Sequence, residues 1–299
     1  MQWVLLRNNS LTALRCRHSL ALLMSTALPA FAAAPAPAKI NDWCIPLAAK
    51  LPKISTNDCR NSKLVPSGAN SINGFPLLTR DIGADPKQKR PLKILLLGGI
   101  HGDEQTASAI VFRWLDAMQK SGPQEFQWKI APLVNPDGML APKSQRMNAH
   151  GVDLNRNFPT PGWQQEAPAY WSRVTRRDPR RFPGRAPVSE PESRWVFDTI
   201  EKFKPDLVIS VHAPFGVLDF DGPSAPPSRF GRLIYSRVGV YPGSLGNYSG
   251  VHKDIPVVTI ELPNATQMPP EAEIQRIWQD MQKWIRANVA TPLKTASNP

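Results

Sequence analysis

Leu92-Lys-Ile-Leu-Leu-Leu-Gly-Gly-Ile-His-Gly-Asp-Glu104 is the stretch on which the reading of this chain turns. Leu92 to Leu97 is an almost continuous apolar run stopped by Gly98-Gly99, the pattern of a strand buried on both faces. Just beyond the glycines stand His101 and Glu104, which can converge on one cation where the backbone turns between them. The theme recurs twice. Asp206-Leu-Val-Ile-Ser-Val-His212 and Pro256-Val-Val-Thr-Ile-Glu-Leu262 are apolar runs carrying an ionisable residue at or beside the carboxyl end. An ionisable group after four apolar strand residues, as at Glu261, is costly to bury unless it is paired or used.

Helical patterns separate these strands. From Ala107 to Met118, apolar residues fall at helical spacing (Ile110, Val111, Trp114, Leu115, Met118), and Gly122-Pro123 follows. Trp128 to Val134 reads as a further strand, and Glu190 to Phe203 as a helix. A last helix, Glu271 to Val289, puts Ile274, Ile277, Trp278, Met281, Trp284 and Ile285 on one face. The alternation predicts an α/β domain with helices on both faces of a mixed, largely parallel, twisted sheet. Sites in such sheets gather at the carboxyl ends of the strands. Residues 136–187, rich in Gly, Pro, Asn and Arg, read as long loops, and such length without periodicity marks a functional surface.

The whole chain has 299 residues, 41% hydrophobic and 20% charged, which bounds it to one large globular domain or two small ones. Arg7, Arg15 and Arg17 precede an uncharged run from Ser19 to Leu28, and Pro29-Ala-Phe-Ala32 follows. This is the pattern of a secretory signal peptide over residues 1–32. The apolar run is too short for a bilayer, which takes about 20 residues. The expected location is therefore periplasmic or secreted, with no transmembrane anchor. Residues 33–65 read as a Pro/Ala linker leading into a short extension, and 66–299 as the main domain.

Cys16 would leave with the signal. The remaining pair, Cys44 and Cys59, is expected to form a disulfide in an oxidising compartment, worth about 3 kcal/mol in the chain-entropy model. The formal charge of +12 falls to +9 without the three Arg of residues 1–32. A basic exported protein is drawn to anionic polymers. The densest cluster, Arg173, Arg176, Arg177, Arg180, Arg181 and Arg185, reads either as contact with an acidic substrate or, more simply, as a solvated loop. It lacks interleaved aromatics or a recognisable module, which argues against nucleic acid.

His101, Glu104 and His212 offer two imidazoles and one carboxylate, a set that suits one Zn²⁺ ion and leaves a fourth position open. Alone, His212 would be a core histidine and Glu104 an acid at a helix start. Glu261 at the end of a third run strengthens the metal reading. His150 and His252 lie in polar loop sequence and read as surface residues.

Taken in order, His101-x-x-Glu104, Asn135-Pro-Asp-Gly138, Arg146, Gly151-Val-Asp-Leu-Asn-Arg-Asn157, Ser189-Glu-Pro-Glu192, His212 and Ile260-Glu261 resemble the motifs of zinc carboxypeptidases of the carboxypeptidase A type, over roughly residues 70–290. The resemblance implies that family's fold and that His101, Glu104 and His212 hold one zinc ion. It also implies that Arg146 stabilises an oxyanion, that Asn155 and Arg156 bind the substrate's terminal carboxylate, and that Glu261 is general base and then general acid. The chemistry is consistent. Arg156 offers a planar fork that matches a carboxylate, and Asn155 a neutral donor beside it. A plain polar turn accounts for Gly151 but not for these two adjacent groups.

Only 49 positions separate His212 from Glu261. That spacing and Pro242-Gly-Ser-Leu-Gly-Asn-Tyr248 resemble the compact bacterial branch, which includes murein peptide amidases. The branch implies cleavage between γ-D-glutamate and meso-diaminopimelate in peptidoglycan peptides. The family's mobile tyrosine has no secure counterpart. Tyr241 and Tyr248 are nearest, and Tyr248 is entered as a substrate-binding candidate. Asp219 and Asp221 are candidates for binding the distal ammonium of diaminopimelate, against the simpler reading of an Asx turn at Asp221-Gly222. The expected function is thus an exported zinc carboxypeptidase of peptidoglycan peptides. Two alternatives stand beside it: a zinc hydrolase of ordinary peptides or acyl-amino acids, and a non-catalytic cell-wall-binding protein.

Overall fold

The apolar run at Leu92–Leu97 becomes a central strand of a nine-stranded sheet. In the computed structural model, which describes residues 42–289, the chain runs α1 (Cys44–Lys50), α2 (Thr56–Asn61), β1 (Val65–Asn70), β2 (Pro76–Ile82), β3 (Lys93–Leu97), α3 (Gln105–Ser121), β4 (Gln127–Ala131), α4 (Pro136–Leu140) and α5 (Trp163–Arg173). It continues through α6 (Pro191–Phe203), β5 (Leu207–His212), β6 (Val217–Asp221), β7 (Arg229–Phe230), β8 (Leu233–Tyr235), β9 (Val257–Glu261) and α7 (Glu271–Asn288). The expected signal peptide and Pro/Ala linker lie outside the described residues.

The strand order is β1-β2-β4-β3-β5-β9-β6-β8-β7, and the four central strands β4, β3, β5 and β9 run parallel. The continuous apolar run follows from burial on both faces. Ile94 and Leu96 enter a core that includes Ile110 and Trp114 of α3 and Ile277 and Met281 of α7. Leu95 and Leu97 point the other way, into a core shared with Val196 and Ile200 of α6. Each of these four strand side chains is fully buried, worth about 1.5–3 kcal/mol apiece relative to exposure.

Cys44 and Cys59 form a disulfide with Cα atoms 5.5 Å apart. The short helices it joins are not a loose appendage. Leu47, Leu51, Ile54 and Leu64 belong to the same buried cluster as Ile94. Lys50 Nζ donates to the carbonyl of Ala141 at 2.6 Å, just past α4.

Two regions differ from expectation. Residues 136–187 are not loop throughout: they hold α4, α5 and two 3₁₀ turns, Leu154–Arg156 and Pro179–Arg181. In α5 only Trp163 and Ala167 are buried and Pro168 interrupts it, so its apolar stripe is too thin to register as periodic. The Asp219-Phe-Asp segment is a strand rather than a turn, paired antiparallel with β9 as Asp219↔Thr259 and Asp221↔Val257. Its alternation sends Leu218 and Phe220 to the core and both acids to the opposite face.

Candidate active site

Three strand ends bring the site together. β3 delivers the chain to His101 through Gly99, whose φ of +58° is one that glycine adopts without strain. His212 ends β5 and Glu261 ends β9, and the two are register partners on adjacent parallel strands. The ligand and the expected base are neighbours because the ladder makes them so.

His101, Glu104 and His212 are buried, and each presents one donor atom to a common point, all within 4.8 Å of one another. Glu104 Oε1 lies 2.7 Å from His101 Nδ1, Glu104 Oε2 lies 3.0 Å from His212 Nδ1, and the two Nδ1 atoms are 3.2 Å apart. The outer ring nitrogens are held elsewhere: His101 Nε2 lies 3.2 Å from Asp153 Oδ1, and His212 Nε2 lies 2.9 Å from Ser210 Oγ. An ionised Asp153 can only accept, which places the His101 proton on Nε2 and turns the Nδ1 lone pair inward. Lone pairs and a carboxylate meeting at one buried point, with the outer nitrogens fixed, is the arrangement of a metal site. The set fits a zinc ion with one coordination position left open.

The charges around it are strongly perturbed. Burial works against ionising Glu104, but the two histidines outweigh it and hold the carboxyl below its ordinary range. Asp153, fully buried, is held well below its usual value by Arg146 and His101 against the cost of burial. Glu261 shifts the other way. Burial and then the Glu104 charge push it up, with His212 pulling it partly back, and its Oε2 is buried without a partner.

The second wall comes from residues 136–187. Arg146 Nε and Nη2 donate to Asp153 Oδ2 at 3.0 and 2.9 Å, which leaves Nη1 facing the metal set, 3.2 Å from His101 Nδ1. The Asn155 side-chain carbonyl accepts from the Leu245 amide at 2.8 Å, so its donor end is the one available to the cleft it lines. Arg156 is buried, stacks on Tyr241 with Cζ 4.4 Å from the ring centroid, and donates from Nη1 to the Asn155 carbonyl at 2.6 Å. Asn157 ties the turn down, donating to the carbonyls of Pro183 at 2.7 Å and Ala186 at 2.9 Å.

His101, Glu104, His212, Glu261, Arg146, Asn155 and Arg156 line a cleft of about 400 Å³, together with Asp219 and Asp221. Burial, and then the neighbouring Asp219, push Asp221 up to about 6, with Arg237 opposing. Gly246 makes this possible, since a Cβ there would collide with the Asp221 carboxylate.

Tyr248 is a correction. Its ring stacks on Phe158 with centroids 6.0 Å apart, and its hydroxyl donates to Glu201 at 2.5 Å, in the core and off the cleft. Of the two candidates it is Tyr241 that lines the cleft. Three further residues were missed. Asp153 lies inside the quoted Gly151–Asn157 motif, two positions before Asn155, but received no role there. Arg180 and Arg181, from the basic cluster first read as a solvated loop, also line the cleft. His150 is half exposed and pairs with Glu190 at 2.9 Å, and His252 is exposed.

A model of the zinc carboxypeptidase family matches residues 49–218. The chain belongs to that family. Murein peptide amidase A of Escherichia coli (strain K12) is 35% identical over 151 residues, which is 50% of this chain and 59% of that protein. The chain thus matches under two thirds of this relative's length. Murein peptide amidase A of Vibrio campbellii is 30% identical over 205 residues, covering 66% of this chain and 78% of the relative. Among solved structures, the murein-tripeptide amidase of Escherichia coli O157 superposes with a TM-score of 0.50 at 25% identity, covering 72% of this chain and 89% of that one. A carboxypeptidase A from Helicoverpa armigera shares the fold, with a TM-score of 0.56 at 19% identity over 76% of this chain and 68% of that one. Among the described residues of this zinc carboxypeptidase, no helix is long and apolar enough to cross a membrane.

Proposed function

We propose that this zinc carboxypeptidase acts outside the cytoplasm and hydrolyses the amide bond between γ-D-glutamate and meso-diaminopimelate in peptidoglycan peptides. One observation carries the reading: the metal set and Glu261 share a cleft with Arg156 and with a buried acidic pair, Asp219 and Asp221. A released residue that suits both bears a carboxylate and an ammonium group. The similarity to two murein peptide amidases supports the same substrate class. The pattern of residues 1–32 supports export.

His101, Glu104 and His212 would hold the zinc ion, which when bound would supply a Lewis acid and a water that is a stronger nucleophile near neutral pH. Arg156 and Asn155 hold the terminal carboxylate and so set the scissile bond against Glu261. The unpartnered Oε2 of Glu261 accepts a proton from the attacking water and returns it to the leaving amine. Arg146 Nη1 donates to the carbonyl oxygen as negative charge develops there, with Asp153 fixing the guanidinium in place.

The test is to incubate the zinc-loaded protein with L-Ala-γ-D-Glu-meso-diaminopimelate and follow free diaminopimelate by mass spectrometry. Wild type releases it. Glu261→Gln loses about 10³-fold in kcat with zinc content unchanged, a loss within the range for a general acid–base residue. No release by wild type with zinc bound would sink the proposal in favour of ordinary peptides or acyl-amino acids.

A further inference from the structure

Pairing off the charges of the cleft leaves a remainder. Arg146 is taken by Asp153, and Arg180 by Asp103 at 2.8 Å. Glu104 belongs to the metal set and Glu261 to proton transfer. Arg156, Arg181, Asp219 and Asp221 remain. Among the described residues Arg156 enters no ion pair, and its Nε is buried without a partner. Arg181 approaches a carboxylate only at 4.0 Å, the Asp178 Oδ2, and both side chains are about 40% exposed, so that contact is worth little. Among the described residues, Asp219 accepts only the amide of its own neighbour Phe220, at 2.9 Å, and Asp221 enters no ion pair. A residue that satisfies this remainder presents two anionic groups to the arginines and a cationic group to the acidic pair. The terminal carboxylate accounts for Arg156 alone.

Arg181, which lines the same cleft as Arg156, sits on a braced turn rather than on a free loop. The Asp178 side chain accepts from the Arg180 amide at 2.9 Å, and its carbonyl accepts from Trp171 Nε1 at 2.8 Å. Trp171 packs on Phe182 with ring centroids 5.0 Å apart. The Phe182 carbonyl in turn accepts from the Asp153 amide at 2.8 Å, at the start of the turn that carries Asn155 and Arg156. Burial depresses the Arg156 pKa most, and the charges of Arg146 and Arg181 depress it further, against Asp153.

Resting on the reading of the cleft given above, we propose that Arg181 is a specificity-determining residue that binds the second carboxylate of the released residue, the one at the end of its side chain. The same side-chain terminus turns its ammonium to Asp219 and Asp221, which line the same cleft. A zwitterionic tip of that kind engages both sets of charges. A lysine tip, with an ammonium alone, leaves Arg181 unused.

The experiment compares kcat/KM of zinc-loaded wild type, Arg181→Gln and Arg181→Lys on four tripeptides. These are L-Ala-γ-D-Glu-meso-diaminopimelate, the same peptide with its distal carboxylate amidated, the same with L-lysine last, and the same with D-isoglutamine in place of D-glutamate. Wild type loses about 10–100-fold on distal amidation, as expected for a charge-assisted pair. Arg181→Gln loses the same factor on the parent peptide, mainly in KM, and no longer distinguishes the amidated form. Its rate on the lysine peptide is unchanged, and Arg181→Lys recovers part of the discrimination. The assignment is overturned if Arg181→Gln still discriminates, if wild type ignores distal amidation, or if the variant's loss tracks the D-glutamate carboxylate instead. Cleavage of none of the four by zinc-loaded wild type rejects the peptidoglycan reading along with it.

Discussion

On one wall of the cleft, His212 and Glu261 stand opposite each other on hydrogen-bonded parallel strands whose side chains fill both cores. On the other wall, Arg146, Asn155 and Arg156 come from residues 136–187, which contain no strand and are fixed by individual side-chain hydrogen bonds. The first wall shares the stability of the whole sheet. The second depends on a few buried polar groups, chiefly Asp153 and Asn157, each making several bonds. Damage to the second wall should therefore impair catalysis and binding while leaving the fold in place.

Asp153→Asn tests this most severely, because Asp153 fastens Arg146 and His101 together. Losing that outer partner is expected to weaken zinc binding about 10–100-fold and activity by a similar factor. Zinc titration and kinetics on the same preparation check it, and a variant within twofold of wild type in both would erase the distinction between the walls. A smaller effect is expected from Asn157→Ala, which leaves the Pro183 and Ala186 carbonyls without their donor. Its cost is about 1–3 kcal/mol of stability. Urea denaturation measures that loss, and steady-state kinetics should place the functional damage in KM rather than kcat.

The mildest test changes only pH. Asp221 sits near 6, so it becomes protonated below that value, and KM for a diaminopimelate peptide rises severalfold between about pH 7 and 5. A peptide ending in a residue without an ammonium group should not show that rise, and Asp221→Asn removes it. The stability sign runs opposite to that of a salt-bridged carboxylate. A folded-state pKa raised above 3.8 gives stability that is present at low pH and lost as pH rises through about 6. Asp221→Asn should therefore raise Tm at pH 7–8 by a few degrees.

The contrast between the walls also explains what the sequence disclosed. His101, His212 and Glu261 were legible because each follows or ends an apolar run, and a buried strand announces both itself and the odd residue at its tip. β6 was hidden because two of its five residues are Asp, so its alternation read as turn composition. α5 was hidden because it buries too few side chains to produce a period. Tyr248 was misplaced because a tyrosine near the expected spot says nothing of whether its ring faces the cleft or the core. Asp153 and Arg180 were missed because each meets a partner far along the chain, His101 and Asp103 respectively, and no local pattern records such a meeting.

The register pairing of His212 with Glu261 also bears on how such a protein can diverge. Their adjacency is set by the ladder between β5 and β9, not by the residues that join those strands. Segment 213–256 can therefore lengthen, shorten or change its composition without moving the Glu261 carboxylate relative to His212. The same segment supplies Asp219, Asp221 and Tyr241 to the cleft. Selection can thus rewrite what is recognised while the reactive geometry is inherited intact.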